Sequence, residues 1–276
     1  MTTFDTFAEG RKAVASRPQL RLPAPPREIV LPYLVPALLV LVWQAGSSLG
    51  WISDRIMPSP AAVIAAFWEA AASGALANDI AVSGARALAG LVIGGTIGFL
   101  LGIANGVSRL SEQLTDTTLQ MLRTIPHLAL IPLVILWFGI GEEAKLFLTS
   151  LGVLFPIYLN TYHGVKNVDR DLLEMGRIYG MRGWTLFRKV IFPGALPSIF
   201  VGLRYALGIM WLTLIVSESI AASSGIGHMA NNAREFMMTD VVVLALLIYA
   251  ALGKLADVIA RALERRALAW NPAYQQ

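Results

Sequence analysis

The chain has 276 residues, 56% hydrophobic and only 14% charged, with a mean hydropathy of +0.62. A soluble domain carries nearer a quarter charged residues, so the composition excludes an ordinary water-soluble globule and makes lipid the expected solvent. The formal charge is +4, and the absence of cysteine excludes disulfides, thiolate metal sites and a cysteine nucleophile.

Residues 1–30 carry Arg11, Lys12, Arg17, Arg21 and Arg27 among several prolines and read as a flexible basic tail. The first apolar run follows only at about Leu31–Leu49, too late for a cleaved signal peptide, and is long enough for span one. Met57-Pro58-Ser59-Pro60 predicts a turn and a helix start, with Ser59 as cap and Pro60 in the first turn. The helix that follows, to residue 72, is too short to span and reads as an amphipathic helix at the outer surface. Spans two to six are expected near Ser83–Val107, Leu119–Ile140, Ala144–His163, Leu196–Ala221 and Val241–Ala260. The fold class is therefore all-α, with a transmembrane domain over 31–266 and a short tail over 267–276.

Orientation follows from the basic residues between spans. With the N-terminus inside, sixteen Lys and Arg fall in inner segments and three, Arg55, Lys145 and Arg234, in outer ones. Both termini are expected in the cytoplasm, as an even number of spans requires.

Span two carries Gly90, Gly94, Gly98, Gly102 and Gly106, a ridge of small residues that suits close helix packing in lipid. A sliding surface for a moving helix is the alternative. Ionisable residues inside spans are expensive and face a cavity, a partner or an interface. Arg86, Glu218 and Lys254 fall near estimated span ends, where reaching to the interface is the simpler reading. Arg204 lies deeper in span five. It is the first candidate for a translocation path that also includes Arg86, Ser217 and Glu218; an ion pair between helices accounts for Arg204 equally well.

The polar stretch 164–190 separates spans four and five. Asp169 is placed to cap a short helix with apolar Leu172, Leu173, Met175, Ile178 and Tyr179, and Gly180 to end it in left-handed geometry. A second short helix follows, and Pro193 opens span five. Such a stub serves either as a docking knob for a soluble partner or as a helix pair lying on the membrane.

The segment resembles the Glu-Ala-Ala loop of ABC importer permeases. Glu174-Met175-Gly176 stands for Glu-Ala-Ala, Gly180 is in register, and Val190-Ile191-Phe192-Pro193 closes the motif. The resemblance covers about residues 31–274. Its stretches Met121–Gly139, Leu212–Ile220, Ser224–His228, Asn232–Phe236 and Trp270–Tyr274 look like the nitrate, taurine and sulfonate branch, and in the last two like its aliphatic sulfonate members. The resemblance implies a type I importer fold and uptake of aliphatic sulfonates, with taurine, nitrate or another small solute as alternatives. It also implies two copies of this chain, two ABC ATP-binding subunits, and a periplasmic or lipid-anchored solute-binding protein. Asp169, Leu173, Glu174, Met175, Gly176, Tyr179, Gly180 and Pro193 would then couple the spans to the ATPase.

No lysine precedes Ser or Thr, so the phosphate-binding Gly-Lys-Ser/Thr loop is missing, and the three histidines are scattered. No catalytic residue, metal or nucleic-acid partner is expected, and ATP with Mg is assigned to the partner subunit. A stand-alone carrier would need buried carboxylates in its spans, where Glu218 is the one candidate. A membrane enzyme would need a cluster of reactive groups, and the sequence offers none.

Overall fold

A computed structural model describes residues 26–271 other than residue 55. The basic tail over 1–25, the outer cation Arg55 and the end of the C-terminal tail, 272–276, lie outside the described residues. Every described regular element is a helix.

The first helix, α1 (Pro26–Ser48), covers the first apolar run and starts inside the segment expected as tail. The Trp43 indole donates to the Pro58 carbonyl at 3.0 Å, and the Ala61 amide donates to Gln44 Oε1 at 3.2 Å. These bonds pin the turn into α2 (Pro60–Ala72). Ser59 caps that helix by accepting from the Ala62 amide at 3.1 Å, with Pro60 in the first turn, where its missing N–H costs nothing. Next comes α3 (Ala75–Val107), 33 residues long, starting eight residues before the expected span.

The expected third span is not one helix. Its chain forms α4 (Arg109–Arg123), a 3₁₀ turn (His127–Leu130) and α5 (Ile131–Phe138), and the two halves meet at 81°. The break falls before Pro126, as expected from the clash between a proline ring and a helical preceding residue. Pro132, in contrast, sits in the first turn of α5 and is tolerated there.

Then follow α6 (Glu142–Lys166), α7 (Arg170–Ile178), α8 (Gly183–Leu186), a π turn (Phe187–Ile191) and α9 (Phe192–Ala221). Gly183–Ile220 forms an unbroken helical run of 38 residues. The chain closes with α10 (Ile226–Glu235), absent from the sequence expectation, and α11 (Thr239–Ala267). Among the described residues, four helices are long and apolar enough to cross a membrane, and the bent pair raises this to five. Where span one was expected, α1 supplies a shorter apolar helix over Tyr33–Ser48.

The central helix is α6, packed between α3 and α9. In lipid there is little hydrophobic drive between helices, so close van der Waals approach decides association. The glycines of α3 permit that approach. A Cβ on Gly90 would lie 2.5 Å from Thr149 Cγ2, and one on Gly102 2.8 Å from the Tyr158 carbonyl. On Gly94 and Gly98 it would collide with the backbone carbonyls of Ser150 and Leu154, and on Gly106 it would meet Val165 at 2.6 Å. On its other face α6 brings Gly164 against Ser198 and Ala195, while Gly202 of α9 lies against Asn160. Leucines, valines and isoleucines such as Leu88, Val92 and Leu100 stay exposed on the outer faces of the bundle, as a lipid solvent requires.

Side chains at Gly94 and Gly98 have backbone in their way, so rotamer changes cannot relieve the clash. Gly98→Val is expected to cost about 3 kcal/mol, the upper end for an overpacked core. Gly84→Val, where a Cβ meets nothing within 4 Å, is the control and should cost little. Thermal unfolding in detergent reads the difference; equal midpoints would remove the close-packing role of the ridge.

Candidate functional site

Three polar constellations stand out. The first lies at the end of the bundle where α9 gives way to α10. The in-span residues Arg86 and Glu218 were expected to reach toward an interface from span ends. They are instead 5% and 1% exposed and form an ion pair, with Arg86 Nη1 donating to Glu218 Oε1 at 2.7 Å. The Arg86 fork also grips Glu142, Nε and Nη2 each reaching a carboxylate oxygen at 2.6 Å. Lys145, counted as an outer-loop cation, is 2% exposed and donates to Glu142 Oε1 at 2.8 Å. Two cations thus face two carboxylates, which is the condition for holding charge in a low-dielectric interior.

Glu218 also accepts from Ser83 Oγ at 2.8 Å, Tyr249 Oη at 2.7 Å and the Gly227 amide at 3.0 Å. These partners come from α3, α11 and α10. The link into α10 is drawn tighter still. Arg86 Nη1 donates to the Ser224 carbonyl at 2.6 Å, the Gly225 amide donates to Asp79, and the Ile226 amide donates to Ser83 Oγ. Gly225 has φ +105°, and a Cβ there would meet Arg86 Nη1 and Glu218 Oε1, each at 2.7 Å. A glycine is therefore required by both conformation and space. Ser217, also placed on the candidate path, is 2% exposed and donates to the Leu214 carbonyl at 3.0 Å. In this arrangement Arg86, Ser217 and Glu218 are sealed among helices.

The second constellation surrounds Arg204. Its side chain is 37% exposed, and Nε donates to Asp257 Oδ1 of α11 at 3.1 Å, with Glu264 Oε2 3.7 Å from Nη1. Arg261 engages the other Asp257 oxygen. Arg204 and Asp257 line a cavity of 320 Å³ together with Val201 and Tyr205. Lys254 is exposed at the surface of α11, while of the translocation-path candidates Arg86, Arg204, Ser217 and Glu218, Arg204 is the one that is not buried. Its partners Asp257 and Glu264 were missed, although their spacing of seven puts them on one face of a helix.

The third is the stub between α6 and α9. Asp169 Oδ1 accepts from the Asp171 amide at 2.9 Å and caps α7. Gly180, φ +77°, ends that helix in left-handed geometry. Gly176 is buried, and a Cβ on it would lie 2.8 Å from Leu186 Cδ1, so the two short helices close on each other there. The opposite face stays open: Met175 is 48%, Ile178 85% and Tyr179 75% exposed, with Leu172 at 44%. Pro193 sits in the first turn of α9. These exposed apolar side chains form a ridge on an otherwise polar connection.

A family model for the inner membrane component of binding-protein-dependent transport systems matches residues 94–268. The chain belongs to that family. The matched span of this permease runs from the middle of α3 through α11 and so contains the stub, Arg204 and Glu218. The aliphatic sulfonates transport permease protein SsuC of Escherichia coli (strain K12) is 62% identical, covering 89% of this chain and 93% of that protein. SsuC of Bacillus subtilis (strain 168) is 42% identical over 88% of each chain. The taurine transport system permease protein TauC of Escherichia coli (strain K12) is 34% identical, covering 90% of this chain and 92% of its own.

Removing one partner of a buried ion pair strands the other. Glu218→Ala in this permease should cost about 3–5 kcal/mol, read as a lower unfolding midpoint in detergent. A midpoint equal to that of the unmodified protein would show that the cluster does not hold the α10 end together.

Proposed function

We propose that the chain is the membrane permease of an ATP-driven ABC importer that carries aliphatic sulfonates into the cytoplasm. The importer class follows from membership of the family, and the sulfonate substrate is supported by 62% identity across nearly the full length of a sulfonate permease. In this reading two copies of the chain form the path, and a periplasmic or lipid-anchored binding protein delivers solute to the α10 end. Two ABC ATP-binding subunits, which take the ATP and Mg, dock at the α7 end. Both termini lie in the cytoplasm, in line with the distribution of basic residues.

The observation that carries the coupling role is the capped α7–α8 stub, with Gly176 packed inward and Met175, Ile178 and Tyr179 turned out. Docking there would bury an apolar ridge that has no partner within the described chain. Glu174 adds a carboxylate beside the ridge for a basic groove in the partner. Closure of the ATPase pair then moves the stub, and the spans follow by rigid-body alternation around a central path. The ATPase must bind the two membrane arrangements with different affinity, or ATP would shift nothing.

Arg204 is the residue proposed to meet the anionic head of the solute. Its guanidinium is held open to a cavity by Asp257 and Glu264, and a sulfonate oxygen pair suits the same fork that now donates to Asp257 and faces Glu264. Arg86, Glu218 and Ser217 serve the same path indirectly, by fixing the α10 end beside it.

In proteoliposomes holding the full complex, Glu174→Lys or Gly180→Pro should abolish ATP-driven uptake while leaving membrane insertion unchanged. Normal uptake in both variants would remove the coupling role. The substrate is tested by solute-stimulated ATP hydrolysis with binding protein present: alkanesulfonates should stimulate more than taurine or nitrate. Uptake driven by an ion gradient in vesicles lacking the ATPase would favour a stand-alone carrier instead.

A further inference from the structure

At the α7 end, the last turn of α3 and the segment from α8 through the π turn enclose a groove of 530 Å³, within the range of small-molecule sites. Its walls are Ile103 and Val107 on one side and Trp184, Leu186, Phe187 and Ile191 on the other. Ser108, the main polar lining group, already accepts from the Ser111 amide, so the groove offers little to a polar solute. Trp184 stacks on Phe187 with ring centroids 5.4 Å apart, yet remains 73% exposed. An exposed tryptophan beside an apolar slot is the arrangement found at the headgroup level of membranes.

The chain beside the groove is rich in basic residues, although Arg109 also lines a second cavity with Glu112 and Asp116. Arg109 follows Ser108, Arg182 precedes Gly183, and Arg188 and Lys189 lie within the π turn, all four exposed. Among the described residues none of the four closes a salt bridge, whereas Lys166, Arg204 and Arg261 at the same end are paired. The groove is thus apolar inside and cationic at its margins. π turns are rare and frequently occur at functional sites.

We propose that this groove holds an acyl chain of an anionic phospholipid from the inner leaflet, its headgroup phosphate held by Arg109, Arg182, Arg188 and Lys189. The inference rests on the reading that the α7 end faces the cytoplasm. The lipid would wedge between α3 and the root of the coupling stub, on the side away from the Met175–Tyr179 ridge. The stub would then pivot against lipid rather than against protein alone, making coupling sensitive to anionic lipid content.

The test uses the isolated full-length permease in bilayers of equal phosphatidylglycerol and phosphatidylcholine, without ATPase or binding protein. A phosphatidylglycerol with a photoreactive group at its acyl terminus should label peptides containing Ile103–Val107 and Trp184–Ile191. Native mass spectrometry should show phosphatidylglycerol retained over phosphatidylcholine. The exposed-site variant R182Q/R188Q/K189Q should lower that retention roughly tenfold or more, given the attraction of each cation to an anionic surface. R265Q/R266Q, basic residues in the last turn of α11, should leave it unchanged. Equal retention of the two lipids, unchanged retention in the triple variant, or labelling elsewhere would each overturn the proposal. Absence of labelling in these bilayers would likewise overturn it. Because no uptake is measured, failure of the importer reading would leave this result intact, and the converse also holds.

Discussion

A helix in hydrocarbon gains nothing by exchanging a lipid tail for a leucine, so the bundle depends on how closely its backbones approach. The α3–α6 contact meets that constraint. Of five glycines, one every fourth residue, Gly94, Gly98 and Gly102 put α3 against the carbonyls of Ser150, Leu154 and Tyr158, and Gly90 and Gly106 make room for the Thr149 and Val165 side chains. The same device recurs on the other face of α6, at Gly164 and Gly202. Larger apolar residues, by contrast, are spent on the outside, where lipid accepts them. Small residues thus line the α3–α6 seam, while bulky side chains such as Tyr158, Leu214 and Ile226 fill the interior elsewhere.

Polar groups inside such a bundle are held by one another. The Arg86–Glu218–Glu142–Lys145 set balances its charge, and hydroxyls from Ser83 and Tyr249 use lone pairs that would otherwise be empty. At the other end Asn105 donates to Tyr158 Oη at 2.9 Å, which donates to Asp116 at 2.6 Å, and Tyr162 donates to Glu112. These bonds turn the polar face of α4 inward and leave Leu110 and Leu114 outward. An amphipathic helix in this setting is read backwards: its apolar face meets lipid and its polar face is the packed one.

Much of this was legible in the sequence. Apolar runs marked the spans because the bilayer fixes their minimum length. The caps at Ser59 and Asp169 and the stop at Gly180 were readable because they depend on one or two local residues. Depth was harder. The apolar run alone starts the span at Ser83, three residues before Arg86, whereas Arg86 lies eleven residues into the helix, about 17 Å. The pairing of Arg86 with Glu218 spans 132 positions and has no local signal beyond opposite charge in two spans. Pro126 was visible, but a proline inside a span is compatible with either a kink or a break, and tertiary contacts decide. The ten residues of α10 were passed over because they are polar and short, and they hold their place through a carboxylate on another helix.

The run Gly183–Ile220 links these ends. At 1.5 Å per residue it is a rod about 57 Å long, rooted in the stub and finishing two residues past Glu218. A rod of that length has few ways to absorb a push. Its two prolines, Pro193 and Pro197, both lie near its root. If the proposed docking at the stub holds, one continuous helix joins the docking point to the buried Arg86–Glu218 pair, with no loop between them to take up a displacement.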